Sequence, residues 1–158
     1  MSRRDQIRMT DDEVQAFLAE EWTVICATAG RDGFPHLMPL WYVVRDGDVW
    51  AWTFAKSQKT RNLERDARAT LQVEAGREYA ELRGVMLKCD VELVRDTDAV
   101  AGLGLEVFAK YTGGDGDGEV APEVREMVRA QAAKRVAMRF RAREVASWDH
   151  RKLAAGVY

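Results

Sequence analysis

Two Asp-Gly pairs, at 32–33 and 46–47, each stand between apolar runs, and they limit the folds open to this chain more than any other feature. An Asp-Gly step accepts the positive φ of a tight turn, so each pair predicts a β-hairpin. The flanking runs WTVICATAG, PHLMPLWYVV and VWAWTFA are rich in β-branched and aromatic residues that suit strands. Together they predict a three-strand antiparallel meander over about residues 22–54. In its third strand Trp50, Trp52 and Phe54 share one face and Val49, Ala51 and Thr53 the other. Both faces are apolar enough to be covered, as in a barrel wall.

The rest of the chain continues in the same style. ARATLQVEA and YAELRGVMLKCDVELV supply two or three more strands, with Gly84 marking a bulge or bend. RVAMRFRA alternates with period two and is a late strand, and EVASWDH returns as a last short one. A helix over about 11–20 starts at Thr10 or Asp11 and puts Val14, Phe17 and Leu18 on one face. Others are expected over about 57–66, from Thr97 as N-cap with Val100, Leu103 and Val107 or Phe108 at helical spacing, and from Pro122 to about 133. GGDGDGE, from Gly113, is a flexible loop. No repeat or linker divides residues 1–158, so one domain is expected, with 1–10 an N-terminal extension and 149–158 a C-terminal tail. About six to eight mostly antiparallel strands with peripheral helices argue a mainly β fold, closed or nearly closed as a barrel, because closure removes exposed edges.

The net charge of −2 and pI of about 5.8 give no general basic field, so no nucleic-acid partner is expected. The start, MSRRDQIRMTDDE, has no apolar stretch that would make it a secretory signal, and no run approaches the roughly 18 apolar residues of a membrane span. Cys26 and Cys89 form no CxxC, so no metal site is expected. Two free thiols fit a reducing cytosol and a cytoplasmic location.

Against that neutral background KSQKTRN, residues 56–62, stands out. Ser57 is a good N-cap, yet Lys56, Lys59 and Arg61 crowd the first turn with no acid before Glu64. A helix start is already positive and repels cations. Unpaired N–H groups and the Ser57 and Thr60 hydroxyls would suit a phosphate. The competing reading is a solvated basic turn paired with Glu64 and Asp66. Pro39 cannot donate to a ladder, so its strand is an edge or is bulged, and the backbone of Met38, Leu40 and Trp41 is then open to a planar ring, or to nothing more than a barrel corner. In SWDHRKL, Trp148 could stack on a ring while His150, Arg151 and Lys152 hold an anion, or the cluster is simply solvated. Other matches are weak. GLG at 102–104 lacks a dinucleotide fingerprint, Asp115, Asp117, Glu119 and Glu126 only approximate a calcium loop, and His36 has no catalytic partner placed beside it by sequence.

The motifs DGFPHLMPLWY, KSQKTRNLERDARATL and KRVAMRF…SWDHRKL together resemble the pyridoxamine 5′-phosphate oxidase-like superfamily, and within it the small actinobacterial flavin and deazaflavin proteins. The likeness covers about residues 11–153. It implies a split β-barrel homodimer holding flavin-type cofactors, FMN or the deazaflavin coenzyme F-420, at the subunit interface. On that resemblance Lys59 binds the cofactor phosphate with Ser57, Lys56 and Thr60 beside it, and Asn62 falls near the same pocket. Trp52 and Thr53 end the strand under the ribityl chain, while Met38, Pro39, Leu40 and Trp41 line the ring through their backbone. Arg83 lies where the partner strand approaches. Trp148, His150 and Lys152 close the pocket, from the other subunit. Arg61 and Arg65 are candidates for the oligoglutamate tail of F-420.

The sequence also departs from the vitamin B6 oxidase itself. HRKLAAGVY lacks that enzyme's C-terminal arginine–histidine arrangement, and Gln58 stands where it has a second cation. The implied activity is therefore hydride transfer between a flavin or deazaflavin and a small unsaturated organic substrate. The alternatives are a non-enzymatic binder that stores the cofactor, and a haem-handling protein with His36 and His150 as ligands. No side chain is singled out as a proton donor.

Overall fold

A computed structural model of the chain describes residues 2–113 and 120–153. Helices α1 (Arg3–Gln6) and α2 (Asp11–Glu20) precede β1 (Val24–Ala29), β2 (Pro35–Leu40), β3 (Val43–Arg45) and β4 (Asp48–Phe54). Then come α3 (Gln58–Arg65), β5 (Arg68–Ala75), β6 (Arg83–Val94), α4 (Thr97–Thr112), α5 (Pro122–Ala132) and β7 (Arg135–Asp149). The expected glycine-rich loop, with Asp115, Asp117 and Glu119, and the tail beyond 153 lie outside the described residues.

The strands form one seven-stranded antiparallel sheet in the order β2-β1-β5-β6-β7-β4-β3. Its two edges, β2 and β3, are neighbours in the chain, separated only by Trp41 and Tyr42. A flat sheet of this width would hold its edges roughly 29 Å apart at about 4.8 Å per strand. Two residues cannot span that, so the sheet curls until its edges meet, and the fold is a split β-barrel.

Both predicted hairpins form, but the meander does not. PHLMPLWYVV is two strands rather than one, and its halves pair with β1 and β4 at opposite edges of the sheet. The break falls just after Pro39, and Pro35 and Pro39 both sit on edge strand β2, where a missing donor costs least. Asp46 and Gly47 both have positive φ, 51° and 82°, as a two-residue hairpin turn requires. The other turn is longer. Only Gly33 is left-handed there (φ 84°), and Gly30 N–H donates to Phe34 O to close the loop at 3.1 Å.

Other expectations shift in detail. The N-cap of α4 is Asp96, not Thr97, and its carboxylate accepts from Ala99 N–H at 2.8 Å. RVAMRFRA and EVASWDH are one continuous strand, β7, since no Gly or Pro interrupts them. Gly84 is not bulged. The ladder is regular there, and the irregularity lies between Lys88 and Cys89, where Arg143 is the extra residue opposite. Gly84 instead makes room, because a Cβ on it would lie 2.1 Å from the Trp148 indole.

Inside the curl pack Val24, Cys26, Leu71, Val73, Val85, Leu87, Met138 and Phe140. Phe17 and Leu18 of α2 plug one end, each contributing about 1.5–3 kcal/mol by burial. A second cluster covers the outer face of β4 and β7, where Val100, Leu103 and Val107 of α4 pack on Ala137, Trp50 and Trp52. Trp50 and Trp52 are thus covered from outside, as the two-faced pattern of VWAWTFA implied. Phe54 stays half exposed.

Candidate functional site

The N-terminus of α3 follows β4 with only a short turn between, so side chains of both elements meet. Ser57 caps the helix, its Oγ accepting Thr60 N–H at 3.3 Å. Thr60 is fully buried and its hydroxyl donates to Phe54 O at 3.1 Å, which fixes the turn. Lys59 turns inward and is only 7% exposed. Its Nζ donates to Thr53 Oγ1 at 2.9 Å, and it has no carboxylate partner among the described residues. Burial pushes the Lys59 ammonium below its ordinary pKa, and the like charge of Arg135 adds to that. The neighbouring Cys26 thiol is pushed up to about 12 by burial and supplies no counter-charge at neutral pH. Asn62, fully buried on the same side of α3, donates through Nδ2 to Thr28 Oγ1 at 3.0 Å.

The acids that a solvated basic turn would need are engaged elsewhere. Glu64 pairs with Arg95 at 2.5 Å and Asp66 with Arg68 at 2.7 Å. Lys56 and Arg61 are exposed and have no ion pair among the described residues. Arg65, by contrast, is held by Ala29 O and Asn62 Oδ1. The cluster Lys56, Ser57, Lys59 and Arg61 is therefore a cationic corner with hydroxyls and no internal anion.

Around β4 the remaining predicted residues separate into two groups. Pro39, Leu40, Trp41 and Trp52 line a cavity of about 430 Å³ between the barrel and α4 and α5. Met38 lies opposite Cys26 on edge strand β2 and is 43% exposed. Arg83, Trp148, His150 and Lys152 are at the other end of the barrel. Thr28, which Asn62 touches, is level with Ala69, Cys89 and Ala142, whereas Trp148 is level with Gly84 and Glu74. From Ala69 to Glu74 is roughly 17 Å along β5 at ~3.3 Å per residue. One chain therefore cannot bring its own tail to its own α3 cap.

The tail group is also internally neutralised. Arg83 pairs with Glu20 at 2.6 Å and lies over the Phe17 ring. Lys152 Nζ bonds Glu13 Oε2 at 2.5 Å and Arg8 O at 2.9 Å. His150 Nδ1 is 2.8 Å from Tyr79 O, and Arg151 forks onto Asp149. That fork, the first cause, holds the Asp149 carboxyl below the usual range.

One functional candidate escapes sequence reasoning altogether. Arg135 opens β7 opposite Phe54, and its guanidinium lies 4.6 Å from the Trp52 ring centre and 4.1 Å from that of Phe54. Its buried Nε has no hydrogen-bond partner among the described residues. Period two in RVAMRF already put Arg135 and Arg139 on one face. Only the pairing of β4 with β7 reveals that Arg139 meets Asp48 at 2.7 Å while Arg135 meets no acid among the described residues. The Trp52 ring is fixed by Gly104 of α4, where a Cβ would come within 2.5 Å of it.

The pyridoxamine 5′-phosphate oxidase family profile matches residues 10–149. Among solved structures, a conserved hypothetical protein from Mycobacterium tuberculosis is 38% identical over 99% of this chain and 98% of its own, with a TM-score of 0.86. An F-420 reductase is 21% identical over 83% of this chain and 94% of its own, with a TM-score of 0.63. An FAD-binding protein from Mesorhizobium loti is 18% identical over 88% and 94%, with a TM-score of 0.65. The last two share the fold. No curated protein matches the sequence. No helix among the described residues is long and apolar enough to cross a membrane.

Proposed function

Because this chain belongs to the pyridoxamine 5′-phosphate oxidase family, we propose that its cationic corner holds the phosphate of a flavin-type cofactor, FMN or the deazaflavin F-420, and that the protein is an oxidoreductase passing hydride between that cofactor and a small unsaturated organic substrate. The observation that carries the reading is Lys59. A buried ammonium costs free energy unless an anion meets it, and among the described residues its one hydrogen-bond partner is a neutral hydroxyl. A phosphate at the mouth of this corner would satisfy Lys59 and draw on Ser57, Lys56 and the helix start together. Thr53 and Asn62 orient that donor set rather than carry charge.

The hydride chemistry is the cofactor's to supply. The chain's part is to bind and orient, with the backbone of Met38, Pro39 and Leu40 on β2 and of Trp41 just after it, and the Trp52 ring, as the surfaces facing a planar heterocycle. We place that site at the interface of a homodimer. Leu37 and Met38 of edge strand β2 and Trp41 just after it are 55%, 43% and 58% exposed, apolar side chains that a second copy would cover. In such a pair the tail of the second copy, with Trp148, His150 and Lys152, and its Arg83 strand are what can reach across.

Native mass spectrometry of the purified protein identifies the cofactor that accompanies it, and titration with FMN and with F-420 ranks the two. The reading predicts tight binding of one of them at one site per subunit. Failure of both to bind would overturn it. Reoxidation of bound reduced cofactor by a panel of enones and quinones separates an enzyme from a storage protein.

A further inference from the structure

The cavity of about 430 Å³ beside Trp52 is chemically unlike the cationic corner. Its walls are apolar, with Val107 and Phe108 from α4 and Met127 and Val128 from α5, and among the described residues its one charged lining residue is Arg135. Its size falls within the roughly 300–1,000 Å³ of small-molecule sites. The Arg135 guanidinium carbon lies 4.6 Å from the Trp52 ring centre and 4.1 Å from that of Phe54, so both rings hold it in place. Its Nε is buried and has no acceptor among the described residues. A buried donor left without a partner costs about 1–3 kcal/mol, and the fork of Nε and Nη matches the two oxygens of a carboxylate. No carboxylate of the chain fills that role among the described residues, and Gln131, the other polar residue of the lining, brings no negative charge.

We propose that this cavity is the substrate pocket and takes a planar, apolar monocarboxylate, with the carboxylate on the Arg135 guanidinium and the hydrocarbon part between α4, α5 and the Trp52 ring. The assignment of the occupant as hydride partner rests on the flavin-type reading above, which sets the cofactor ring against Pro39, Leu40 and Trp41; the binding itself does not. Trp52, pinned by Gly104 on one side, sets the plane in which such a ligand lies. An uncharged ligand of the same shape would fill the space yet leave the charge of the guanidinium unmet.

Isothermal titration with trans-cinnamate and with cinnamamide tests this on the protein as purified. Cinnamate is expected to saturate at one site per chain and to bind at least tenfold more tightly than the amide. In Arg135→Gln cinnamate should fall to the level of the amide, and Arg135→Lys should keep part of the difference. Equal binding of the two probes by the unaltered protein, or undiminished cinnamate binding by a folded Arg135→Gln, overturns the proposal. Should Arg135→Gln not fold, the comparison of probes on the unaltered protein still decides. Cofactor binding is read separately by visible absorbance. A protein that binds FMN or F-420 but does not prefer cinnamate refutes the pocket alone, and the reverse result refutes only the flavin reading.

Discussion

The α3 cap and the C-terminal tail look alike as sequence: KSQKTRN and SWDHRKL are both short and cationic, with a tryptophan four residues before the first and one inside the second. Folded, they differ. Every tail cation has an acceptor within the chain, with Lys152 on Glu13, Arg151 on Asp149 and Arg83 on Glu20. At the cap the nearby acids are taken by Arg95 and Arg68, and Lys59 is left with a hydroxyl. Local charge in a sequence thus says little about anion binding until each charge has been matched to its partner. The unmatched ones mark the site.

The sharpest way to break this contrast is to remove one lysine from each region. Lys59→Ala should weaken cofactor binding by about 1.5–3 kcal/mol, roughly 10- to 150-fold in Kd, the scale of a charge-assisted hydrogen bond. Lys152→Ala should change Kd less than about threefold, because its charge is already met. Titration of both variants with the copurifying cofactor decides. Equal losses would mean that the tail of a second copy lends Lys152 to the phosphate despite its pairing with Glu13.

A packing version of the comparison is next in size. Gly84 receives the Trp148 ring and Gly104 the Trp52 ring, each where a Cβ would stand well inside contact distance. Either substitution to Ala should cost about 1–3 kcal/mol of stability, read as a lower Tm. Gly104→Ala should also displace Trp52 and lower affinity for cofactor and cinnamate. Gly84→Ala should spare cinnamate, since Trp148 is at the opposite end of the barrel.

How much of this could be read from the chain depends on distance along it. The Asp-Gly turns, the Ser57 cap and the α2 face were legible because each is decided within a few residues. The split of PHLMPLWYVV was not, because Pro39 permits either an edge or a bulge, and only the pairing of β3 with β4 and of β4 with β7 chooses. Gly84 was legible as special but not in kind, for its reason is an indole on another strand. Arg135 was invisible for the same cause: which of two equivalent-looking arginines in RVAMRF lacks an acid is set by Asp48, far away in sequence.

Lys59→Met should separate the cost of the buried charge from its use. In cofactor-free protein we expect the variant to be more stable by about 1 kcal/mol, a few degrees in Tm, since an ammonium with no anion is replaced by an apolar chain of similar length. The sign of its pH dependence follows. Folding lowers the Lys59 pKa below 10.5, so between the two values the unfolded chain binds more protons than the folded one. Stability of the unaltered protein should therefore rise with pH across that window, and the burial penalty should be fully present below it. Lys59→Met should lack this rise. A variant less stable than its parent at neutral pH would mean that the Thr53 bond outweighs the burial cost and that Lys59 is structural.

The smallest effect distinguishes the two cofactors. Arg61 is exposed and has no ion pair among the described residues, whereas Arg65 is tied to Ala29 O and Asn62 Oδ1. An exposed cation contributes only about 0.2–1 kcal/mol to a contact, and salt screens it. FMN ends at its phosphate, so Arg61→Ala should leave FMN affinity almost unchanged. The oligoglutamate tail of F-420 extends past the phosphate, and an exposed arginine on the first turn of α3 is placed to meet it. For F-420, Arg61→Ala should then raise Kd by a factor of about two to five at low ionic strength, and the difference should vanish in high salt. Arg65→Ala should instead lower Tm with little salt dependence, because the bonds it breaks are to the chain's own carbonyl and amide oxygens. An Arg61 effect of equal size on both cofactors would place that arginine at the shared phosphate and extend the unmatched cluster by one residue.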